Sequence, residues 1–172
     1  MVAHQVALRL GVAPDAVPLT ALYLRSKSAA MPWLSTVHDE AETLWWMTQV
    51  VLAEQCVIVA AVGDTRLGFA ALHGQWLQQL YVEPAAQGLG VGRALFEAVA
   101  DARPDGFSLR TFTRNTRARL FYEALGCTLI RQSDGYRNEE NEPDCTYSYG
   151  PAALPTDIWH HGDSMMGRDA GL

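Results

Sequence analysis

The chain predicts an α/β fold in which a central mixed, mostly antiparallel sheet of about six to seven strands is flanked by four helices. Three observations predict it. Short apolar runs separated by glycine-containing turns follow one another between residues 56 and 82, as antiparallel strands do. After residue 90, strand-like and helix-like runs alternate, which requires some parallel pairing. The 172 residues, 49% hydrophobic and 19% charged, suffice for one sizeable core. A single domain is expected over residues 1–150, and residues 151–172, which mix Pro, Gly and Asp without periodicity, read as an extended or docked C-terminal tail.

The elements follow in order. Val6 to Leu10 reads as a first strand, and Asp15 to Ala29 as a first helix entered after Pro14 and broken at Pro32. His38 to Gln55 reads as a second helix, whose acidic start, Asp39-Glu40-Ala41-Glu42, suits the positive end of the helix dipole. Cys56 to Val62 and Thr65 to Leu72 form a hairpin around Gly63-Asp64, and His73-Gly74 turns into a third strand ending at Val82. A helix over residues 90–102 leads through Pro104-Asp105-Gly106 into a strand from Phe107 to Thr113. A short helix after Asn115 and two strands, Thr128 to Gln132 and Asp144 to Tyr149, complete the domain.

The stretch Leu80-Tyr81-Val82-Glu83-Pro84-Ala85-Ala86-Gln87-Gly88-Leu89-Gly90-Val91-Gly92-Arg93 carries the strongest chemical signal. Pro84 cannot donate to a sheet ladder and ends the strand, and the alternating glycines let the backbone bend sharply and approach a ligand. The helix that follows, with Ala94-Leu95-Phe96-Glu97-Ala98-Val99-Ala100, points its unpaired first N–H groups back at the turn, a setting for phosphate. A nucleotide loop ending Gly-Lys-Ser/Thr is excluded by Arg93 and Ala94 after Gly92. The dinucleotide pattern G-x-G-x-x-G fails because no glycine stands at position 93 or 95. Gln87-Gly88-Leu89-Gly90-Val91-Gly92 instead meets Gln/Arg-x-x-Gly-x-Gly/Ala.

In this the chain resembles the GCN5-related N-acetyltransferases, the GNAT superfamily, whose pyrophosphate loop for acetyl-CoA reads this way. Leu80-x-Val82-x-Pro84 looks like that family's fourth strand. A second match lies at Asn115-Thr116-Arg117-Ala118-Arg119-Leu120-Phe121-Tyr122-Glu123-Ala124-Leu125-Gly126-Cys127, where Asn115 is a good N-cap and Gly126 a good stop. It is similar to the superfamily's Asn-x-x-Ala-x-x-Phe-Tyr-x-x-x-Gly-Phe, departing only at Cys127. The resemblance extends loosely over residues 6–150.

It implies direct attack of an amine on the acetyl-CoA thioester, through a tetrahedral oxyanion, with release of the CoA thiolate. The backbone of Leu80, Tyr81 and Val82 would hold the thioester arm and supply an oxyanion donor, provided the neighbouring strand is splayed away. Gln87 to Gly92 with Arg93 would hold the pyrophosphate, Asn115 would bond the arm, and Tyr122 would be the general acid near sulfur. A phenol keeps its proton at neutral pH, which suits that task. Many relatives carry a glutamate base on strand four, but here Gln75, Trp76, Gln78 and Gln79 stand before Leu80. Glu83 is expected to point away or cap the turn, and His73 to be a surface turn residue. The base stays unassigned.

Acceptor choice in the superfamily comes from the connection between the first two helices and the loop between the last two strands. These are Ser28 to Val37, with Met31, Pro32 and Trp33, and Ser133 to Asp144, with Glu139, Glu140, Glu142 and Asp144. If the acidic loop folds over the site it favours a cationic amine, of a small molecule or a peptide. The alternative is a non-catalytic acyl-CoA-binding or sensing module, for which the missing strand-four carboxylate speaks. A longer acyl group or an oxygen acceptor is a third option.

Composition narrows the partners. A formal net charge of −6 argues against nucleic acid. No apolar run is of membrane-spanning length, and the N-terminus lacks the pattern of a secretory signal, so a cytoplasmic location is expected. Cys56, Cys127 and Cys145 are odd in number and widely spaced, so no disulfide framework and no metal are expected, and each reads as a small core hydrophobe. His160-His161 lacks supporting ligands. Ile158 and Trp159 could dock on the body or on a second copy, which leaves a homodimer open.

Overall fold

The computed structural model describes residues 6–151. The expected tail from residue 152 onward, with Ile158, Trp159, His160 and His161, lies outside them. Seven strands form one sheet in the order β1-β2-β3-β4-β5-β7-β6. They are β1 (Ala7–Leu10), β2 (Cys56–Val62), β3 (Thr65–His73), β4 (Trp76–Val82), β5 (Phe107–Phe112), β6 (Thr128–Ser133) and β7 (Asp144–Tyr149). Every neighbouring pair is antiparallel except β4 and β5. The expected mixed sheet is therefore present.

Helices cover both faces. α1 (Ala16–Ala30) and α2, which runs from Glu40–Trp46 through a π-helical stretch Met47–Val51 to Leu52–Glu54, cover one face. Their Leu19, Leu22, Tyr23, Trp46, Met47 and Val51 pack on Val57, Val59, Phe69, Ala71 and Tyr81. α3 (Val91–Ala102) and α4 (Thr116–Ala124) cover the other, where Val91, Leu95, Phe96 and Val99 of α3 make a buried stripe over Leu80, Val82, Phe107 and Leu109. Gly68 of β3 lets α3 lie this close, since a Cβ there would stand 2.8 Å from the Tyr81 carbonyl oxygen and 3.0 Å from Leu95.

Local chemistry accounts for the helix ends. Asp39 and Glu42 form a reciprocal capping box, with Glu42 N donating to Asp39 Oδ1 at 2.8 Å and Asp39 N to Glu42 Oε2 at 2.9 Å. At the start of α1 the fully buried Asp15 accepts from both guanidinium nitrogens of Arg9, at 2.7 and 2.8 Å, from Arg66 Nε at 2.9 Å and from Val12 N at 3.0 Å. These bonds, Arg9 foremost, hold its carboxyl well below the usual carboxylate range. Asp15 thus ties β1, β3 and α1 together.

Two sequence expectations are refined. The second helix is a single rod only with its π turn, which shifts the side-chain register by one residue midway. Cys127 and Cys145 are buried as expected, but Cys56, at the first position of β2, is exposed. Burial pushes the Cys127 thiol up to about 12, so it behaves as an apolar group. Among the described residues no helix is long and apolar enough to cross a membrane.

Candidate active site

The sheet parts between β4 and β5. These two strands pair only at Trp76↔Ser108 and Leu77↔Leu109, and β4 beyond Leu77 has no ladder on that side. A bulge explains the departure: Leu77 lies opposite Leu72 and Gln79 opposite Ala71, so Gln78 is a surplus residue that bends the strand. Glu83 N donates to Leu67 O at 2.8 Å. Alternation from that bond turns the backbone groups of Val82 and Leu80 away from β3, toward the parting. The Val82 carbonyl already accepts from Ser26 Oγ at 2.9 Å and from Gln87 Nε2 at 3.2 Å. Its N–H and that of Leu80 are left facing the gap.

At one end of the parting lies the glycine turn. Gly88 and Gly90 take φ of 78° and 84°, where an L side chain is strained, and a Cβ at either would meet nothing within 4 Å. The turn is therefore an open cradle. Gly90 is the N-cap of α3 with no side chain to satisfy the first turn, so the first N–H groups, including those of Val91, Gly92 and Arg93, face this cradle with the helix dipole behind them. Leu89 projects outward, 74% exposed. Arg93 is exposed and lies 3.6 Å from Glu97 along the helix.

Asn115 caps α4, with Oδ1 accepting from Ala118 N at 3.2 Å. Its Nδ2 is buried and has no hydrogen-bond partner, and the same holds for Thr111 Oγ1 on β5. A buried polar atom without a partner costs roughly 1–3 kcal/mol. Two such atoms, on β5 and just after it, beside the stretch where β4 is missing, fit a polar ligand arm lying in the parting. The sequence reading named Asn115 and not Thr111, which nothing in the pattern of β5, where Ser108, Arg110 and Thr111 are all polar, sets apart.

Tyr122 lies on α4, fully buried, with its ring 6.2 Å from Phe96, 5.2 Å from Phe121 and 6.5 Å from Tyr147. Tyr147, also missed, accepts from Arg119 Nε at 3.1 Å and donates to Glu123 Oε1 at 2.7 Å. Burial pushes its phenol up to about 12, so it is a fixed, neutral support beside Tyr122. Tyr81 stands apart from Leu80 and Val82: its ring crosses to the α1 face, edge-on to Tyr23 at 4.8 Å. Gln79 is buried and shares that face by alternation, and its amide cannot take a proton. Glu83 is held by Arg25, with oxygen–nitrogen distances of 3.0 and 2.7 Å.

On the α1 face the two expected acceptor segments meet. Met31 is buried, and Trp33 packs edge-on against Phe112 of β5 at 5.9 Å with Arg114 4.3 Å from its ring centre. The acidic loop folds back onto them. Glu140 lies 3.5 Å from Lys27, Glu139 3.1 Å from His38, and Glu142 3.4 Å from Arg114. Asp144 accepts from Asn138 at 3.1 Å. Each acid therefore meets a lysine, a histidine, an arginine or an amide. A pocket bounded by Tyr23, Lys27, Met31, Leu34, Val37 and His38 lies beside this seam.

A strand-parting beside a glycine-rich helix start gives an open groove with an anion cradle at one end, on a fold that comparison with known proteins identifies. Residues 53–126 match the family described as acetyltransferase (GNAT) domain. Peptidyl-lysine N-acetyltransferase YjaB of Salmonella typhimurium is 30% identical over 118 residues, covering 67% of this chain and 79% of that protein. The solution structure of apo YjaB from Escherichia coli superimposes with a TM-score of 0.72 at 26% identity, over 86% of this chain and 99% of that one. YncA of Salmonella typhimurium, solved with acetyl-CoA, shares the fold with a TM-score of 0.66 at 20% identity, over 89% of this chain and 99% of that one. The chain belongs to the GNAT family of acetyltransferases and is an acyltransferase homologous to peptidyl-lysine N-acetyltransferases.

Proposed function

We propose that the protein moves the acetyl group of acetyl-CoA to a primary amine by direct attack in a ternary complex. The observation that carries this is the parting of β4 from β5, with an open anion cradle at one end and two unpartnered buried polar atoms along it. Gln87 to Gly92 and Arg93 bind the pyrophosphate. Asn115 and Thr111 bond the pantetheine arm, and the N–H groups of Leu80 and Val82 hold the thioester carbonyl and its oxyanion. Tyr122 returns a proton to the leaving thiolate, which requires the arm to bring sulfur to a hydroxyl that is buried when the site is empty. No side chain is assigned as base.

The names of the relatives support a lysine side chain of a peptide as acceptor, and the loop acids on the α1 face support a cationic one. A second reading, a module that grips acyl-CoA without turnover, is favoured by one observation: β4 offers Gln79 where a carboxylate would serve. Release of free thiol from acetyl-CoA, followed across lysine peptides, polyamines and amino acids, separates the two. Turnover of at least one primary amine is expected. Tight CoA binding with no release throughout would favour the module.

A further inference from the structure

Glu140 is the one acid of the loop that is both enclosed and under-bonded. Its side chain is 2% exposed, yet its closest cation, Lys27 Nζ, lies 3.5 Å from Oε1, and Oε2 is buried with no hydrogen-bond partner. Charge-assisted N–H···O bonds usually close to about 2.7–2.9 Å, and a carboxylate has room for about four donors. Glu140 therefore holds an unfilled capacity for a cation. The other loop acids do not: Glu139 and Glu142 stay part-exposed, and Asp144 is satisfied by Asn138.

The surroundings say where that cation would sit. Lys27 reaches Glu140 from α1, lies 3.2 Å from Tyr23 Oη, and lines the pocket between α1 and the α1–α2 connection. Tyr23 in turn packs edge-on against Tyr81 of β4. The preceding residue, Ser26, bonds the Val82 carbonyl on the edge of the parting. The under-bonded carboxylate thus lies one side chain away from the pocket wall, on the same helix that borders the strand holding the thioester in the proposed function.

We propose that Glu140 is the seat for the ammonium group of the acceptor, a primary alkylammonium such as a lysine side chain, and that Lys27 is a resident cation competing for it. This rests on the proposed function, whose acceptor it specifies. A substrate ammonium entering the pocket gives Oε2 its missing donor, and Lys27 retains Tyr23 as a partner. Glu140 is here a binding residue, not the base.

The two residues give opposite signs, which a purely structural clasp between loop and helix would not. Protein loaded with CoA is titrated calorimetrically with a lysine-containing pentapeptide and with the same peptide carrying norleucine. The wild type should prefer lysine by at least about tenfold, an amount one charge-assisted bond supplies. Glu140→Gln should erase the preference, and Lys27→Met should enlarge it several-fold, with melting temperatures recorded for both. The proposal is overturned if the wild type shows no preference, if Glu140→Gln keeps it, or if both variants weaken lysine binding alike. Thiol release is measured in parallel: an inert protein that still discriminates lysine strikes down acetyl transfer and leaves the Glu140 seat standing.

Discussion

In the proposed function the half of the site that takes the acetyl donor and the half that takes the acceptor are built from different materials. On the donor side, the parting, the glycine turn and the first turn of α3 present backbone N–H groups, open space and two unpartnered polar atoms. On the acceptor side, long side chains from α1, the α1–α2 connection, the β5–α4 link and the β6–β7 loop meet in hydrogen bonds and ion pairs along the seam. A backbone grip is sequence-tolerant at its side chains but strict in its spacing, so one loop can bind the same donor in many proteins. Side-chain pairs can be exchanged one at a time, so acceptor choice is free to diverge on an unchanged donor frame.

The comparison can be broken most strongly from the acceptor half. Asp15→Asn leaves two guanidinium groups around a neutral amide at the start of the helix that carries Lys27 and ends at Met31. It should cost about 3 kcal/mol of stability in denaturant titration, while acetyl-CoA affinity of the folded fraction is unchanged. Because the folded carboxyl titrates below its unfolded value, this contribution is present at neutral pH and fades as the pH falls below about 4. The gap in stability between wild type and variant should shrink over that acid range.

Next in size is Tyr122→Phe, expected to lower kcat by about 100-fold in steady-state kinetics with little change in the KM for acetyl-CoA, as loss of a general acid does. Gly90→Val should follow. Forcing a β-branched residue to a φ of 84° costs about 1–3 kcal/mol and distorts the cradle, raising the calorimetric Kd for CoA by about tenfold or more and leaving the lysine-over-norleucine preference intact. The smallest effect belongs to Arg93→Ala. An exposed side chain with a nearby Glu97 should change CoA affinity by about threefold at low salt and less at high salt.

The same division decides what could be read from the sequence. The sheet, its strand boundaries, the glycine turn and the capped helix were legible because each rests on a local rule: Pro84 ends a strand, Gly88 and Gly90 take positive φ, Asn115 caps and Gly126 stops a helix. Tyr122 and Asn115 came with a spaced motif. The acceptor seam was legible only as an acidic loop and an aromatic connection. Lys27 and Glu140 are 113 residues apart and His38 and Glu139 are 101 apart, so nothing local links them. Thr111, Tyr147 and Ser26 were missed because their roles follow from which face a strand or helix turns, set by the bulge at Gln78 and by packing. The π turn in α2 has no composition signal, and the exposure of Cys56 reflects its place at a strand end.

The surplus residue at Gln78 has one more consequence. By ending the β4–β5 ladder after Leu77, it leaves a seam of the sheet unsewn in the empty protein. In the proposed complex the pantetheine arm becomes the thread, supplying donors and acceptors that a neighbouring strand would otherwise provide. The substrate is then part of the fabric, and resistance to heat should track the concentration of CoA, gaining about 2.7 kcal/mol when the cofactor stands at 100 times its Kd.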